Sequence, residues 1–442
     1  MSSSALRSDA LACHAAALAA VDPHALVAGC LGRDGSVLVL RDRQGRTLAR
    51  HDGQVLLVGA GKASLRMIEA AADATRPRLR GGLVIVPHGG EGRSVSGVEI
   101  MTGGHPLPDA AGEAATRRLL DTVSSVGGDV LILVLLSGGG SALLVAPAPG
   151  ITLDDKRALT TGLLASGADI AALNTVRRHC SRVKGGGLAR AAKPAAGLWA
   201  LLLSDVVGDD PASIASGPTV ADPTTFADAA RALEVHLAPD QVPSAVRAHV
   251  ARGLTGEVPE TVKPGDPVLE RARTLILAGN RDAVAAAARV AAARGYAAEV
   301  LATPLTGDAA EAGRMVAARL RAAPRDRPVA VIGGGETTVR VRPGGRGGRS
   351  QQLALAAGIA LAGETGVVLA AGTDGVDGPT AAAGACVDGD SAARARTFGF
   401  DPERALEATD SNPLLAATGD LLVTGPTGTN VADVVVALRG AY

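Results

Sequence analysis

The chain has 442 residues, and its 44 Lys and Arg balance its 44 Asp and Glu, for a formal net charge of zero. That length exceeds one ordinary hydrophobic core and points to two or three domains, while the balanced charge argues against a general nucleic-acid or membrane-surface role. Aromatic residues make up only 1%, so the core has to be built from Ala, Val, Leu and Ile.

The N-terminal stretch "MSSSALRSDALACHAAALAAVD" reads as an amphipathic helix and not as a signal peptide. Short apolar runs then alternate with Ala-rich helical stretches. Candidate strands fall at residues 55–58, 83–86, 98–101, 130–136, 198–203, 274–278, 298–301, 328–332, 367–370 and 421–424. Helical patterns at 110–123, 281–294 and 308–323 lie between them. Such alternation predicts an α/β fold of two domains, each a mostly parallel or mixed sheet covered by helices, the N-terminal one Rossmann-like. Prolines 239, 243, 259, 264 and 267 mark 241–267 as a connecting segment, interrupted by a helix at 244–252. The expected domains are therefore 1–240 and 268–442. The longest aliphatic run, 130–136, is far short of the roughly 20 residues that span a bilayer. Cys13, Cys30, Cys180 and Cys386 form no Cys-x-x-Cys pair, so neither a zinc site nor a disulfide framework is indicated. A cytoplasmic protein is expected.

The 57 glycines concentrate at the ends of the apolar runs. Five strand ends stand out: "VGAGKAS", "SGGGSA", "SDVVGDDP", "GGGETT" and "AGTDGVDGPT". Open parallel sheets bind ligands beyond the carboxyl ends of their strands, and Gly lets backbone N–H groups surround an anion. Gly138, Gly139 and Gly140, flanked by Ser137 and Ser141, are thus expected to hold a phosphate. "GAGKAS", with Gly59, Gly61 and Lys62, fails as a Walker A loop because Ala63 follows the lysine. As a dinucleotide fingerprint it is poor, since the next strand ends "IVPHGG" with no acid for a ribose. What survives is a lysine at a tight strand-to-helix turn, beside backbone donors. Asp205, Asp209, Asp210, Asp374 and Asp377 sit in two loops where carboxylates suit Mg²⁺, a proton acceptor, or the capping of turns. Asn174, Arg177 and Lys184 lie in the basic stretch "NTVRRHCSRVKGGGLAR", and Arg346 and Arg349 in a Gly-rich loop. Arginine suits carboxylate and phosphate because its fork donates bidentately. Together these pieces match phosphoryl transfer.

In "VGAGKAS", "GGHPLPDAAG", "LLSGGGSALL", "LNTVRRHCSRVKGGGLA", "LSDVVGDDPASIASGPTVADPTTFADA", "GGGETTVRVRPGGRGGRSQQLALA", "GTDGVDGPT" and "GDLLVTGPTGTNVADVVVAL" the chain resembles the class II glycerate 2-kinases, which join a glycerate-kinase-type domain to a C-terminal MOFRL domain. The resemblance implies phosphorylation of D-glycerate by ATP, with Mg²⁺ or another divalent cation, to give 2-phosphoglycerate. It implies a catalytic role for Lys62, Arg349 and Asp374, phosphate contacts at the 138–141 loop, and metal or nucleotide contacts at Asp205 and Glu336. Beyond the resemblance, Gly59, Gly61 and Ser137 are expected to add nucleotide contacts, Asp377 a metal contact, and Asn174, Arg177 and Lys184 substrate contacts. The chain departs from the usual family pattern at Ala381 (usually Asp), at Ser350, Gln351 and Gln352 (usually Asn-Gln-Glu), and in "DSNPLLAATGD", which lacks aromatics. Partners are expected to be small molecules, with no nucleic acid and no membrane, and a homodimer is left open. The alternatives are an NAD(P)H-dependent hydroxypyruvate reductase, a kinase for a related small sugar acid, and a non-catalytic sensor of such ligands.

Overall fold

The computed structural model describes residues 1–441 apart from Glu91 and Arg93. The chain divides into two compact units: a parallel-sheet unit of Pro23–Ser204 and Gly208–Leu277, and a mixed-sheet unit of Met1–Asp22, Asp205–Val207 and Ala278–Tyr442. Among the described residues, no single helix is long and apolar enough to cross a membrane.

The parallel-sheet unit opens with a small antiparallel sheet, β1 (Leu31–Asp34), β2 (Val37–Arg41) and β3 (Thr47–His51), absent from the sequence-based expectation. Its first turn is the two-residue loop Gly35-Ser36, with Gly35 at φ 60°, a left-handed conformation that glycine adopts readily at the first loop position of a hairpin. The main sheet follows: β4 (Gln54–Ala60), β5 (Leu79–Pro87), β6 (Val98–Gly103), β7 (Val130–Leu136), β8 (Gly197–Leu203) and β9 (Ala272–Ala278), in the order β6-β5-β4-β7-β8-β9. Pairing is parallel from β6 through β8. Every residue of β7 is buried, as its unbroken apolar run requires of a strand covered on both faces.

The proline-rich stretch expected to join two domains lies inside this unit. Helix Ser244–Leu254 places Val246 and Val250 on one face, and both join a helical core with Leu159, Leu163, Val176, Phe226 and Leu233. The prolines flank the helix and do not separate domains.

The mixed-sheet unit contains β10 (Ala297–Val300), β11 (Val329–Gly335), β12 (Val367–Gly372), β13 (Gly384–Asp388), β14 (Leu421–Leu422) and β15 (Asp433–Arg439), in the order β10-β11-β15-β12-β13-β14. The last strand inserts between β11 and β12, antiparallel to both. The two sheets match the expected α/β class, one parallel and one mixed. Helix Ser3–Ala20 belongs to this unit: Arg7 donates from Nε to Asp388 Oδ2 at 2.8 Å and from Nη2 to Asp420 Oδ1 at 2.6 Å. Partners more than 380 residues away leave no local trace in the sequence.

His14 of this helix is buried, and no partner meets its Nε2 among the described residues. Burial lowers its pKa to about 4. Between the unfolded value near 6.5 and pH 4, the unfolded chain takes up a proton that the folded chain refuses, so stability falls as pH falls through that window. The loss of stability is at most roughly 3 kcal/mol. The melting temperature is therefore expected to drop more steeply from pH 6.5 to 4.5 in the wild type than in His14→Leu, and parallel curves would contradict this.

Candidate active site

The parallel sheet has its topological switch point at β4 and β7. From β4 the chain runs outward through β5 to β6, then returns to the other side of β4 as β7. Loops at the carboxyl ends of two such strands diverge and leave room for a ligand. Here the two loops are "GAGKAS" and "SGGGSA", and they are bonded together. Lys62 N–H donates to the Gly138 carbonyl at 2.9 Å, Ser137 N–H to the Ala60 carbonyl at 3.2 Å, and Ala63 N–H to Ser137 Oγ at 2.9 Å. Gly61, at φ 139°, leaves no room for a Cβ, which would lie 2.2 Å from Ser137 Oγ. Gly139, at φ 84°, carries the Lys62 side chain on one side and the His105 ring on the other, each within about 3.5 Å of where a Cβ would stand.

This geometry revises several of the expected phosphate contacts. Gly59 lies within β4, where a Cβ would meet the Leu135 carbonyl at 2.8 Å, so it serves sheet packing. Ser137 is fully buried and its hydroxyl is occupied by Ala63 and Ser64, so it ties the loops together. Gly138 and Gly140 are also buried, and the Gly140 N–H donates to the Ser137 carbonyl at 3.2 Å, so the partly exposed Lys62 and Gly139 remain the surface a phosphate would meet.

A cationic cluster adjoins the loop. The Ser141 carbonyl accepts from Lys184 Nζ at 2.8 Å and from Arg177 Nη2 at 3.3 Å. Lys156 Nζ donates to the Cys180 carbonyl at 3.1 Å. Among the described residues no carboxylate lies within ion-pairing distance of these three cations, whereas neighbouring Arg178 is matched by Asp222 at 3.1 Å. Burial, reinforced by Arg177, Lys156 and Arg178, pushes the Lys184 ammonium well below the usual lysine range; burial takes Lys156 to about 8. Buried charge without a counter-ion is costly, and an anionic ligand would relieve it. Arg177 is the half-buried member and the one a ligand would meet first; Lys184 is 2% exposed and lies behind it.

Asn174 is buried and reaches no open surface. Its Oδ1 accepts from Ser216 Oγ at 3.3 Å, and Ser216 shares a 3.0 Å hydrogen bond with Ser141 Oγ. Ala215 and Ser216 hold φ of 51° and 62°, conformations that cost a non-glycine residue of order 1–3 kcal/mol each and collect at functional sites. The sequence singles out His105 only as a basic residue between Gly and Pro, where a turn histidine is the alternative, and it gives no signal for Ser216, which belongs to no spacing pattern.

In the mixed-sheet unit the Gly-rich loop 340–348 leads into helix Arg349–Ala360. Arg349 meets Asp433 through Nε at 2.6 Å and Nη2 at 3.0 Å, and Glu336 through Nη1 at 2.5 Å. Despite the opposing effect of burial, these carboxylates raise its pKa further, so it stays charged. Asp374 is half-buried and its Oδ1 accepts from Val376 N–H at 3.1 Å, an Asx turn that leaves it at the edge of its loop. Asp433, which opens β15, was missed because its strand was not recognised.

The chemistry of the donors tests the metal assignment. Asp377 does not fit: it is 4% exposed, and its two oxygens accept from Ser350 N–H at 3.0 Å and Gln351 N–H at 2.8 Å. It caps the helix in place of the metal role expected of it. Asp205 fits better, being partly exposed and accepting from Asn430 Nδ2 at 3.2 Å. No group of three or more His, Cys, Asp or Glu among the described residues is arranged to hold a metal by itself. Mg²⁺ shared with phosphates needs only one or two carboxylates.

Residues 9–251 match the family described as Domain of unknown function (DUF4147), and residues 329–433 match the MOFRL family. The chain is also 37% identical to the glycerate 2-kinase of Pyrococcus horikoshii, over 96% of this chain and 94% of that one. It belongs to the class II glycerate 2-kinase family. A family relative from Agrobacterium vitis, 44% identical over 88% of each chain, bears a provisional hydroxypyruvate reductase name. Among solved structures, the glycerate kinase of Thermotoga maritima superposes with a TM-score of 0.83 at 36% identity, covering 99% of this chain and all of that one. Both Pro-rich 241–251 and the glycine loop after β7 thus fall inside the first family segment of this glycerate 2-kinase-type chain.

Proposed function

We propose that this protein transfers the γ-phosphoryl group of ATP to the 2-hydroxyl of D-glycerate, giving 2-phosphoglycerate and ADP. The observation that carries this reading is the pair Arg177 and Lys184, both bonded to the Ser141 carbonyl of the same glycine-rich loop that packs against Lys62, with no carboxylate in ion-pairing distance among the described residues. One anion, the glycerate carboxylate, is assigned to Arg177 with Lys184 behind it. The other, the nucleotide phosphate chain, is assigned to Lys62 and the Gly139 backbone. Arg349 neutralises charge on the transferring group. Asp374 orients the 2-hydroxyl and takes its proton as the oxygen bonds to phosphorus and the bond to ADP breaks. Asp205 would hold a divalent cation, which would supply positive charge against the phosphates.

The reductase alternative has less support. The strand following the first turn ends at Pro87 and is followed by His88, with no acid at that strand end among the described residues, where a dinucleotide ribose is normally held. A cytoplasmic setting accords with four free cysteines. The test is a paired assay. ADP release that requires glycerate, with no oxidation of NADH by hydroxypyruvate, is the expected result. NADH oxidation without ADP release would overturn it.

A further inference from the structure

We propose that Asp433 is the positioning residue that fixes the Arg349 guanidinium; the inference rests on the catalytic role proposed for Arg349. Asp433 pairs with Gly335 of β11 on one side and Gly372 of β12 on the other. Its carbonyl accepts from Asn280 Nδ2 at 2.9 Å. The residue before it, Ala432, holds φ 66° and is retained there by Thr373, which donates to its carbonyl from N–H at 3.1 Å and Oγ1 at 2.7 Å. A non-glycine residue persists in that conformation only where its surroundings over-determine it. The Asp433 backbone is therefore held from three sides.

The Asp433 side chain is 11% exposed and grips Arg349 side-on through Nε and Nη2. Two parallel bonds set the plane of a guanidinium as well as its place. A guanidinium has five N–H groups, of which Asp433 and Glu336 take three, leaving one on each terminal nitrogen for an anion. The two carboxylates differ in kind. The Glu336 side chain is 53% exposed and can give way to an incoming anion, while Asp433 cannot. Burial raises the Asp433 carboxyl to about 6 against the pull of Arg349, which leaves it ionised at neutral pH.

A double-mutant cycle on the full chain tests this, with kcat, KM and melting temperature measured for wild type, Arg349→Ala, Asp433→Asn and the double variant. Asp433→Asn is expected to lower kcat about 10- to 100-fold, with both KM values near wild type. In the Arg349→Ala background it should add no further loss, because it acts only through that arginine. Wild-type kcat in Asp433→Asn beside an impaired Arg349→Ala, or losses that multiply in the double variant, would overturn the assignment. Wild-type kcat in Arg349→Ala would instead remove the role on which it rests. If Asp433→Asn fails to fold, Asp433→Glu decides: it keeps the charge on a longer arm, and a kcat lowered several-fold at unchanged KM supports the assignment, whereas wild-type kcat overturns it.

Discussion

Arg349→Ala is expected to cut kcat for glycerate phosphorylation about a thousandfold or more while leaving the glycerate KM little changed. The reasoning starts from charge. A phosphoryl group in transfer spreads negative charge over its oxygens, and a preorganised cation stabilises that charge more than it stabilises the ground state. Arg349 is preorganised by Asp433 and Glu336, and no lysine or second arginine is hydrogen-bonded to that carboxylate pair among the described residues. Arg349→Lys should recover little, because a lysine cannot reproduce the two-pronged bond to Asp433. The measurement is steady-state kinetics with melting temperature as a check on folding. An unchanged kcat would take Arg349 out of the chemistry.

The second large effect is expected at Arg177. Its truncation to Ala should raise the glycerate KM roughly ten- to a hundredfold, since a hydrogen bond to a charged group contributes about 1.5–3 kcal/mol. The KM for ATP should move far less. The stability effect has the opposite sign from that of most arginine truncations. Arg177 and Lys184 crowd one carbonyl with no carboxylate beside them among the described residues, so removing Arg177 relieves repulsion and the melting temperature should hold or rise. A large fall in melting temperature with an unchanged glycerate KM would make Arg177 a structural residue and refute its substrate role.

Much of the architecture could be read from local pattern. The unbroken apolar run of β7 and the glycine cluster after it announced a buried parallel strand opening into a loop. That such loops follow β4 and β7, strands adjacent across the switch point, emerges only from the strand order, which local patterns do not encode. Residue roles were harder to read. An Asp before Gly is ambiguous in sequence: Asp377 proved to cap a helix that begins 28 residues earlier, while Asp374, three residues before it, stays at the edge of its loop. Asp433 heads the run "DVVVAL", which alone would fit a terminal strand, but its pairing with an arginine 84 residues away depends on β15 entering the middle of the sheet. Helix Ser3–Ala20 joins the far end of the chain through Arg7 for the same reason. Spacing rules report neighbours along the chain, and these contacts are made by topology.

Phosphorus NMR of the purified protein incubated with ATP, Mg²⁺ and D-glycerate tests the proposed reaction most directly. The expected spectrum loses the γ-phosphorus resonance of ATP and gains ADP together with a phosphomonoester coupled to the single proton on carbon 2. A phosphomonoester coupled instead to the two protons of carbon 3, or ATP left intact beside glycerate, would contradict it.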